Sequence, residues 1–266
     1  MIPVPPAVLA RAARFPVARN APAALLVLGL ALPLTGRAGP PYTTDDPEPV
    51  EHRHWEVYLA FETFWTKGQG ADGTLPQVEV NYGVLPDLQL HTIVPMAWTS
   101  PDGQAFRYGP GDIELGAKFR FVHEGDWVPQ IGTFPLVELP VGSASHGLGT
   151  GHVQVLLPIW LQKSVGPWTT YGGAGYWIGN PGPNSRGSWF VGWQAQYQFA
   201  KWATAGAEIY HGMAGQDGDP GDTRFNQGLV IDLSEIQHVL LSAGHSFGSA
   251  SGQAYAAYKV TFGPGE

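Results

Sequence analysis

From residue 54 onward the chain alternates apolar and polar residues with a period of two, the pattern of β-strands that have two different faces. The alternation is clearest in 112–121, where Asp112, Glu114, Gly116, Lys118 and Arg120 alternate with Ile113, Leu115, Ala117, Phe119 and Phe121. A helix would scatter these apolar residues around its circumference. Similar alternation predicts strands at 54–66, 77–82, 88–98, 153–161, 189–199 and 253–262. Weaker patterns, whose faces stay open, predict further strands at 128–140, 168–178, 202–213, 223–233 and 238–248.

The connections between these predicted strands alternate in length. Long ones such as 67–75 (KGQGADGTL) and 142–150 (GSASHGLGT) alternate with short ones such as 85–87 (LPD), and only the last, near Ser249, departs from the pattern. Outer-membrane barrels have short periplasmic turns, longer extracellular loops and, with an even strand number, both termini in the periplasm. The sequence therefore predicts an all-β fold, a transmembrane antiparallel up-and-down β-barrel of 12 strands.

Tryptophans near the ends of the predicted strands support this fold. Trp55 and Trp65 share a face and are ten residues apart, which is about 33 Å along an extended strand. With the tilt of barrel strands that distance projects to about 25 Å, the height of the apolar band between two aromatic girdles. The residues predicted to form the girdles are Trp55, Trp65, Trp98, Trp160, Trp168, Trp189 and Trp202.

If the apolar face meets lipid, the polar face lines the lumen, because ionisable groups are not left in hydrocarbon. The lumen-lining candidates are Glu56, Glu62, Glu79, His91, Asp112, Glu114, Lys118, Arg120, Glu138, Glu208 and Lys259. Such a lining forms either a water-filled, acidic path that favours cations or neutral solutes, or a salt-bridged interior that only holds the barrel together. A barrel of 12 strands is compatible with both interpretations, because side chains fill the interior of barrels of about eight strands, whereas barrels of about sixteen strands contain a channel.

The first 38 residues have the order of a secretory signal. A segment with Arg11, Arg14 and Arg19 precedes the apolar stretch 21–34, and small residues end at Ala38. This order of charge, apolar core and small residues predicts a cleaved signal peptide over 1–38. Residues 39–53 are rich in Pro and Asp and have no period, which predicts an extended periplasmic lead-in, followed by the barrel at 54–266.

Composition narrows the class of protein further. Charged residues make up 14% of the chain, against about 25% in soluble domains. Because four of the 14 basic residues and none of the 22 acidic ones lie in 1–38, the remainder carries a net charge of −12. Such acidity argues against nucleic-acid binding, which needs basic surface to neutralise phosphates. The absence of Cys rules out disulfides and thiolate metal sites.

Several stretches together resemble a known family: TDDPEPVEHRHWEVYL (44–59), GPGDIELGAKFRF (109–121), PLVELPVG (135–142), LPIWLQKS (157–164) and TYGGAGYW (170–177). They are similar to the outer-membrane transporter family associated with the meta-pathway of phenol degradation, with Asp45, Asp46 and Glu48 in its N-terminal motif. The resemblance implies a barrel and suggests passage of a small, aromatic or hydrophobic compound. It assigns no catalytic residue.

Two other kinds of chemistry are weakly indicated. A lipid hydrolase of the barrel type would need a Ser–His pair, and Ser143, Ser145 and His146 or Ser246 and His245 could supply one. A divalent ion could bind near His52 and His54, or in the Asp-rich loop 215–222, but a polar linker and a turn explain these patterns equally. The prediction is therefore a protein that is not an enzyme, with no cofactor and no metal.

The sequence thus predicts a monomeric barrel in the bacterial outer membrane that passes a small solute. Its expected partners are outer-membrane lipid, the solute and the barrel-assembly machinery, and not nucleic acid. The alternatives are a non-conducting structural or adhesion barrel and a lipid-acting barrel enzyme.

Overall fold

A computed structural model describes residues 41–179, 187–212 and 221–264 of the chain. The predicted signal peptide and most of the Asp-rich loop 215–222 lie outside these residues. Within the described part, no helix is long and apolar enough to cross a membrane.

Antiparallel strands account for most of the described chain. Their bounds are β1 Trp55–Thr66, β2 Gly70–Leu85, β3 Leu88–Pro101, β4 Arg107–Pro110, β5 Ile113–Val122, β6 Gln130–Thr133, β7 Leu136–Leu139, β8 Gln154–Val165, β9 Trp168–Ile178, β10 Ser188–Ala200, β11 Ala203–Gly212, β12 Asp222–Asp232, β13 Gln237–Ser246 and β14 Ser251–Phe262. A short 3-10 helix, Ala144–His146, lies between β7 and β8.

These fourteen segments make twelve strands of one closed barrel. Segments β4 and β5 run consecutively along the same edge of β3, through the pairs Met96↔Pro110 and Ile93↔Glu114. Segments β6 and β7 likewise run together between β5 and β8. The first and last strands, β1 and β14, pair along their whole length and close the ring. The predicted fold class is thereby confirmed.

The two faces of the wall follow the alternation in the sequence. On β10, Trp189, Val191 and Trp193 are 56%, 52% and 55% exposed, whereas Gln194 and Gln196 are 0% and 5% exposed. The apolar side chains therefore face outward and the amides face the interior. A closed barrel leaves no strand edge unpaired, and its outward apolar belt can face lipid, so this barrel can cross a bilayer.

The described connections at the end that holds both barrel termini are mostly short. Two residues join β2 to β3, β8 to β9, and β10 to β11. At the opposite end the predicted long connection at 67–75 is wrong, since β2 begins at Gly70 and only 67–69 turn the chain. The Gly, Asp and Thr residues of 67–75 are typical of a loop, but the hydrogen-bonded ladder between β1 and β2 continues through Trp65↔Ala71 and Thr63↔Gly73.

Candidate functional site: the lumen and the segment inside it

The inner face of the barrel is lined by polar side chains that are shielded from bulk solvent. Glu79, His91, Lys118, Glu208 and Lys259 are each less than a tenth exposed. The other lining candidates are partly exposed and lie on the same alternating face of their strands: Glu56, Glu62, Asp112, Glu114, Arg120 and Glu138. The predicted lining residues therefore combine seven acidic groups with His91 and three cations, Lys118, Arg120 and Lys259.

Each of the three basic lining residues is held by a carboxylate. Lys259 Nζ lies 3.1 Å from Glu56 Oε1, and Arg120 Nη2 lies 3.0 Å from Asp87 Oδ1. Lys118 bonds the carboxylates of the N-terminal stretch, as described below. Since these cations are already paired, they do not neutralise the remaining acids of the lumen.

A hydrogen-bonded cluster surrounds His91 on the wall formed by β2, β3 and β5. His91 Nδ1 lies 2.6 Å from Asn81 Oδ1, and His91 Nε2 lies 2.9 Å from Glu114 Oε1. Asn81 in turn donates to Glu79 Oε1 over 2.8 Å. The cluster ties three neighbouring strands together through side chains, and it brings together three of the predicted lining residues, Glu79, His91 and Glu114.

Residues 41–50, here called the lumen segment, pass through the barrel interior. At one side the carboxylate of Glu208 on β11 accepts hydrogen bonds from the backbone N–H groups of Thr43 and Thr44, over 2.8 and 2.7 Å. Asn226 on β12 donates to the same carboxylate over 3.0 Å. Glu208 is only 2% exposed, so this buried charge is satisfied by the segment together with the wall.

The centre of the lumen segment is fixed by an ion pair. Lys118 Nζ on β5 lies 3.0 Å from Asp45 Oδ1 and 3.4 Å from Asp46 Oδ2. Lys118 is 5% exposed and Asp46 is 0% exposed. These acids belong to the motif that carries the family resemblance, and the structure gives them one shared partner inside the barrel.

The remaining anchors of the segment reach the opposite wall. Glu48 Oε2 accepts hydrogen bonds from the amides of Gln130 and Gln162, over 3.2 and 2.9 Å, and the N–H of Val50 donates to Gln89 Oε1 over 2.9 Å. Gln89 lies on β3, six positions from β11 in the ring of twelve strands. The six steps from Thr44 to Val50 along the chain span about 20 Å when extended, so the segment crosses the lumen from wall to wall.

Glycines on the inner face make room for the segment. A Cβ on Gly192 of β10 would lie 2.2 Å from Thr44 Oγ1, and a Cβ on Gly206 of β11 would lie 2.6 Å from Tyr42 Oη. Such distances are far below van der Waals contact, so any larger residue there would displace the segment. The sequence contained this signal as inward glycines, but it did not show what they face.

The extracellular end of the lumen is shaped by the connection between β7 and β8. Asp112, a predicted lining residue, accepts hydrogen bonds from the N–H of Gly142 at Oδ1 and from the N–H and hydroxyl of Thr150 at Oδ2. Its carboxylate therefore holds this connection against the barrel rim.

The same connection contains one of the Ser–His pairs considered above. Ser143 Oγ lies 2.8 Å from His146 Nδ1 and 3.3 Å from Ser145 Oγ. Among the described residues no carboxylate bonds His146, and its Nδ1 is used by a serine three residues away. The geometry lacks the third group that orients a catalytic base. No group of three His, Asp or Glu side chains suited to a metal occurs in the described ranges.

Most of the predicted girdle tryptophans lie on the outer face. Trp55, Trp65, Trp168, Trp189 and Trp202 are 38–58% exposed, and Trp98, which is partly exposed, stacks on Phe106. Trp160 is a correction, because it is 2% exposed and points inward from β8. Its neighbours Leu157 and Ile159 are apolar and face outward, so the prediction failed where both faces of one strand are apolar.

Trp160 belongs to an aromatic row inside the barrel. Its ring meets that of Phe190 edge to face at 5.9 Å, and Phe190 lies 5.9 Å from Tyr210. Tyr210 donates a hydrogen bond to Gln253 Oε1 over 2.6 Å. The indole N–H of Trp160 has no partner among the described residues. One wall of the lumen is therefore aromatic, a feature that the sequence pattern did not reveal.

Solved structures share this architecture. An outer-membrane channel from Pseudomonas putida F1 superposes with a TM-score of 0.66 at 14% identity, over 82% of this chain and 98% of that one. The KdgM porin in complex with disordered oligogalacturonate superposes with a TM-score of 0.56 at 12% identity, over 78% and 99%. No protein-family model and no curated protein matches the chain. The likeness therefore concerns the fold, that of outer-membrane channels, and the family resemblance stays a prediction.

Proposed function

We propose that this protein is an outer-membrane channel for a small solute, and that the lumen segment narrows its path. The barrel is closed, apolar outside and polar inside, which is the arrangement of barrels that conduct. The segment crosses this polar interior with its charged groups engaged by the wall. The location in the outer membrane follows from the same arrangement.

The observation that carries the proposal is how the lumen segment is held. Its polar contacts with the wall are hydrogen bonds and ion pairs to side chains, such as those of Glu208, Lys118 and Gln89. The others are packing contacts, such as that of the Tyr42 ring with Tyr171. The strand ladder closes between β1 and β14 without it. The segment can therefore shift or leave while the barrel stays intact, as a gate or a constriction requires and a structural core element does not.

The charge of the lumen favours cations and neutral solutes. Glu114 and Glu138 face each other on β5 and β7, and Glu62 lies on the inner face of β1. The carboxylates of Glu62 and Glu138 accept no hydrogen bond from another described residue, whereas the three predicted lining cations are paired. Acidic groups of this kind raise the local concentration of cations in a narrow path.

The aromatic row supports a solute with an apolar or aromatic part. Phe190 and Tyr210, which are partly exposed, offer ring faces and edges to the lumen, and the buried Trp160 packs behind Phe190. Aromatic rings bind other rings and organic cations through such contacts. We infer a small solute whose apolar part passes along this wall.

The test is single-channel conductance of the purified barrel in a planar bilayer, after a heat-modifiable gel band has shown that it is folded. We expect small, discrete steps with a cation preference. Glu62→Gln combined with Glu138→Gln should lower that preference, and Asp126→Asn, which changes an exposed turn outside the lumen, should not. A folded barrel without steps, in both the parent protein and a variant lacking 41–50, would overturn the channel and favour the structural alternative.

A further inference from the structure

The outer wall carries a groove along β9. The outward residues Gly172 and Ala174 of this strand are small. In register beside Ala174 stand Ile159 of β8 and Val191 of β10, and beside Gly172 stand Leu161 and Trp193. Neighbouring strands are about 4.8 Å apart, so the small Ala174 between two larger residues leaves a trough there. At Gly172 the ring of Trp193 leans over the strand, since a Cβ on this glycine would lie 2.6 Å from Trp193 Cε3.

The trough is apolar and open to the outside of the barrel. Its volume is about 750 Å³, and large apolar side chains form its sides: Leu157, Ile159, Leu161, Trp189, Val191 and Trp193. Most of these are about half exposed on the outer face of the barrel. The groove thus opens toward the bilayer and not toward the lumen.

Strand direction sets the height of the groove in the membrane. Both barrel termini lie at one end, so Gly212 and Asp222 lie at the opposite, extracellular end. The groove extends to that end, where His211 Nδ1 lies 2.8 Å from Thr223 Oγ1. Its apolar trough therefore lies in the outer-leaflet half of the membrane and meets polar groups at the rim.

We propose that this groove is a specific site for one acyl chain of an outer-leaflet lipid. The site needs only that the barrel is inserted, and it is independent of what the lumen conducts. The acyl chain comes from the surrounding lipid. In the trough it contacts the floor and two side walls, whereas on a smooth barrel wall it would have contact on one side only. Burial of each methylene against such a surface adds favourable dispersion contacts.

The width of the trough selects a single chain over a second barrel. The backbones of β8 and β10 lie about 10 Å apart across β9, and their side chains narrow the opening further. A convex neighbouring wall with its own large side chains would touch Ile159 and Trp193 at the edges and leave the floor over Ala174 empty.

The experiment is native mass spectrometry of the protein purified from membranes in mild detergent and titrated with dipalmitoyl phosphatidylglycerol. We expect one lipid to bind more tightly than the rest. Ala174→Leu fills the trough and should weaken this first binding by at least about fivefold. Ile159→Ala, which lowers one side, should weaken it in the same direction and serves as the second variant if Ala174→Leu fails to give a heat-modifiable barrel.

The matched control is Ala256→Leu, an outward alanine of β14 that lies between Phe61 and Leu241, outside the groove. It should bind the first lipid as the parent protein does. Glycerol 3-phosphate should not compete, since the chain and not the headgroup is recognised. Equal lipid binding by the parent, Ala174→Leu and Ala256→Leu would overturn the proposal, as would a change in oligomeric state on filling the groove with no change in lipid binding.

Discussion

The carboxylate of Glu208 holds three donors at once, the N–H groups of Thr43 and Thr44 and the amide of Asn226. Hydrogen bonds to a buried charge are stronger than those between neutral groups. A carboxylate at this depth would otherwise be costly to bury. Glu208 and the segment therefore stabilise each other, and the loss of either should destabilise the position of the other.

Glu208→Gln tests this at the level of one residue. The amide keeps one acceptor oxygen but loses the charge and one of the two oxygens, and its NH₂ faces a backbone donor. We expect the amides of residues 43 and 44 to exchange with solvent about tenfold faster, the equivalent of about 1.4 kcal/mol. Hydrogen exchange followed by mass spectrometry of the N-terminal peptide gives the readout. Glu56→Gln, on the wall away from the segment's anchors, should leave that peptide unchanged.

Whether a side chain points into the lumen or out of the barrel could be predicted residue by residue on strands that have one polar face. On β5 and β10 the alternation alone separates Leu115 from Lys118 and Val191 from Gln194, because period two ties sequence parity to the face of the wall. The girdle prediction failed at Trp160, which was assigned by its position near a strand end: Leu156, Pro158 and Trp160 face inward between outward Leu157 and Ile159. The alternation over 153–161 separates these two faces although both are apolar, and Trp160 on the inner face packs against Phe190.

At the scale of elements, the lumen segment and the barrel wall are two parts joined by side chains. The segment is rich in Pro and Asp and has no alternation, so the sequence indicated a lead-in that is not a strand. It did not indicate that this lead-in lies inside the barrel. The partners of the segment lie far away in sequence, since Thr43 and Glu208 are 165 positions apart, and no local pattern encodes such a pairing. The strand extension over 70–75 was missed for the opposite reason, since turn-type residues there are held by the ladder to β1 and β3.

The ion pair between this segment and β5 gives a prediction about both elements. Lys118→Met leaves Asp45 and the fully buried Asp46 without their cation. Breaking a buried ion pair from one side costs about 3–5 kcal/mol, so we expect either release of the segment or a barrel that unfolds at lower urea. Adding Asp45→Asn and Asp46→Asn to Lys118→Met should recover most of that loss. Urea unfolding in detergent is compared for the parent, Lys118→Met, Asp45→Asn with Asp46→Asn, and the triple variant, and it is read by tryptophan fluorescence. Additive effects of the changes would show that the groups act independently.

At the scale of the whole molecule, the barrel is a closed ring with the lumen segment lying across its interior. Its closed ladder, outward apolar belt and polar interior were predictable, because they repeat in every strand. The position of the lumen segment was not, since it depends on contacts that run from β11 and β10 through β8, β6 and β5 to β3. Conduction should therefore depend on that segment more than on any single lining residue.

The chain has no Cys, so two introduced cysteines can form a reversible disulfide between the segment and the wall with no native thiol to compete. Thr44 Oγ1 has no partner among the described residues, and a Cβ on Gly192 would lie 3.2 Å from Thr44 Cβ. That is close to the roughly 3.8 Å of a disulfide, so Thr44→Cys with Gly192→Cys should form a cross-link between segment and wall.

The deciding measurement is single-channel conductance of this double variant before and after reduction. The account predicts small steps while the disulfide holds the segment across the lumen, and a reversible rise of conductance when dithiothreitol frees it. The single variant Gly192→Cys should conduct more than the parent protein, because its Cβ displaces the segment. Its conductance should not change when dithiothreitol is added. Equal conductance of the oxidised and reduced double variant, with the disulfide confirmed by mass, would contradict a path narrowed by residues 41–50.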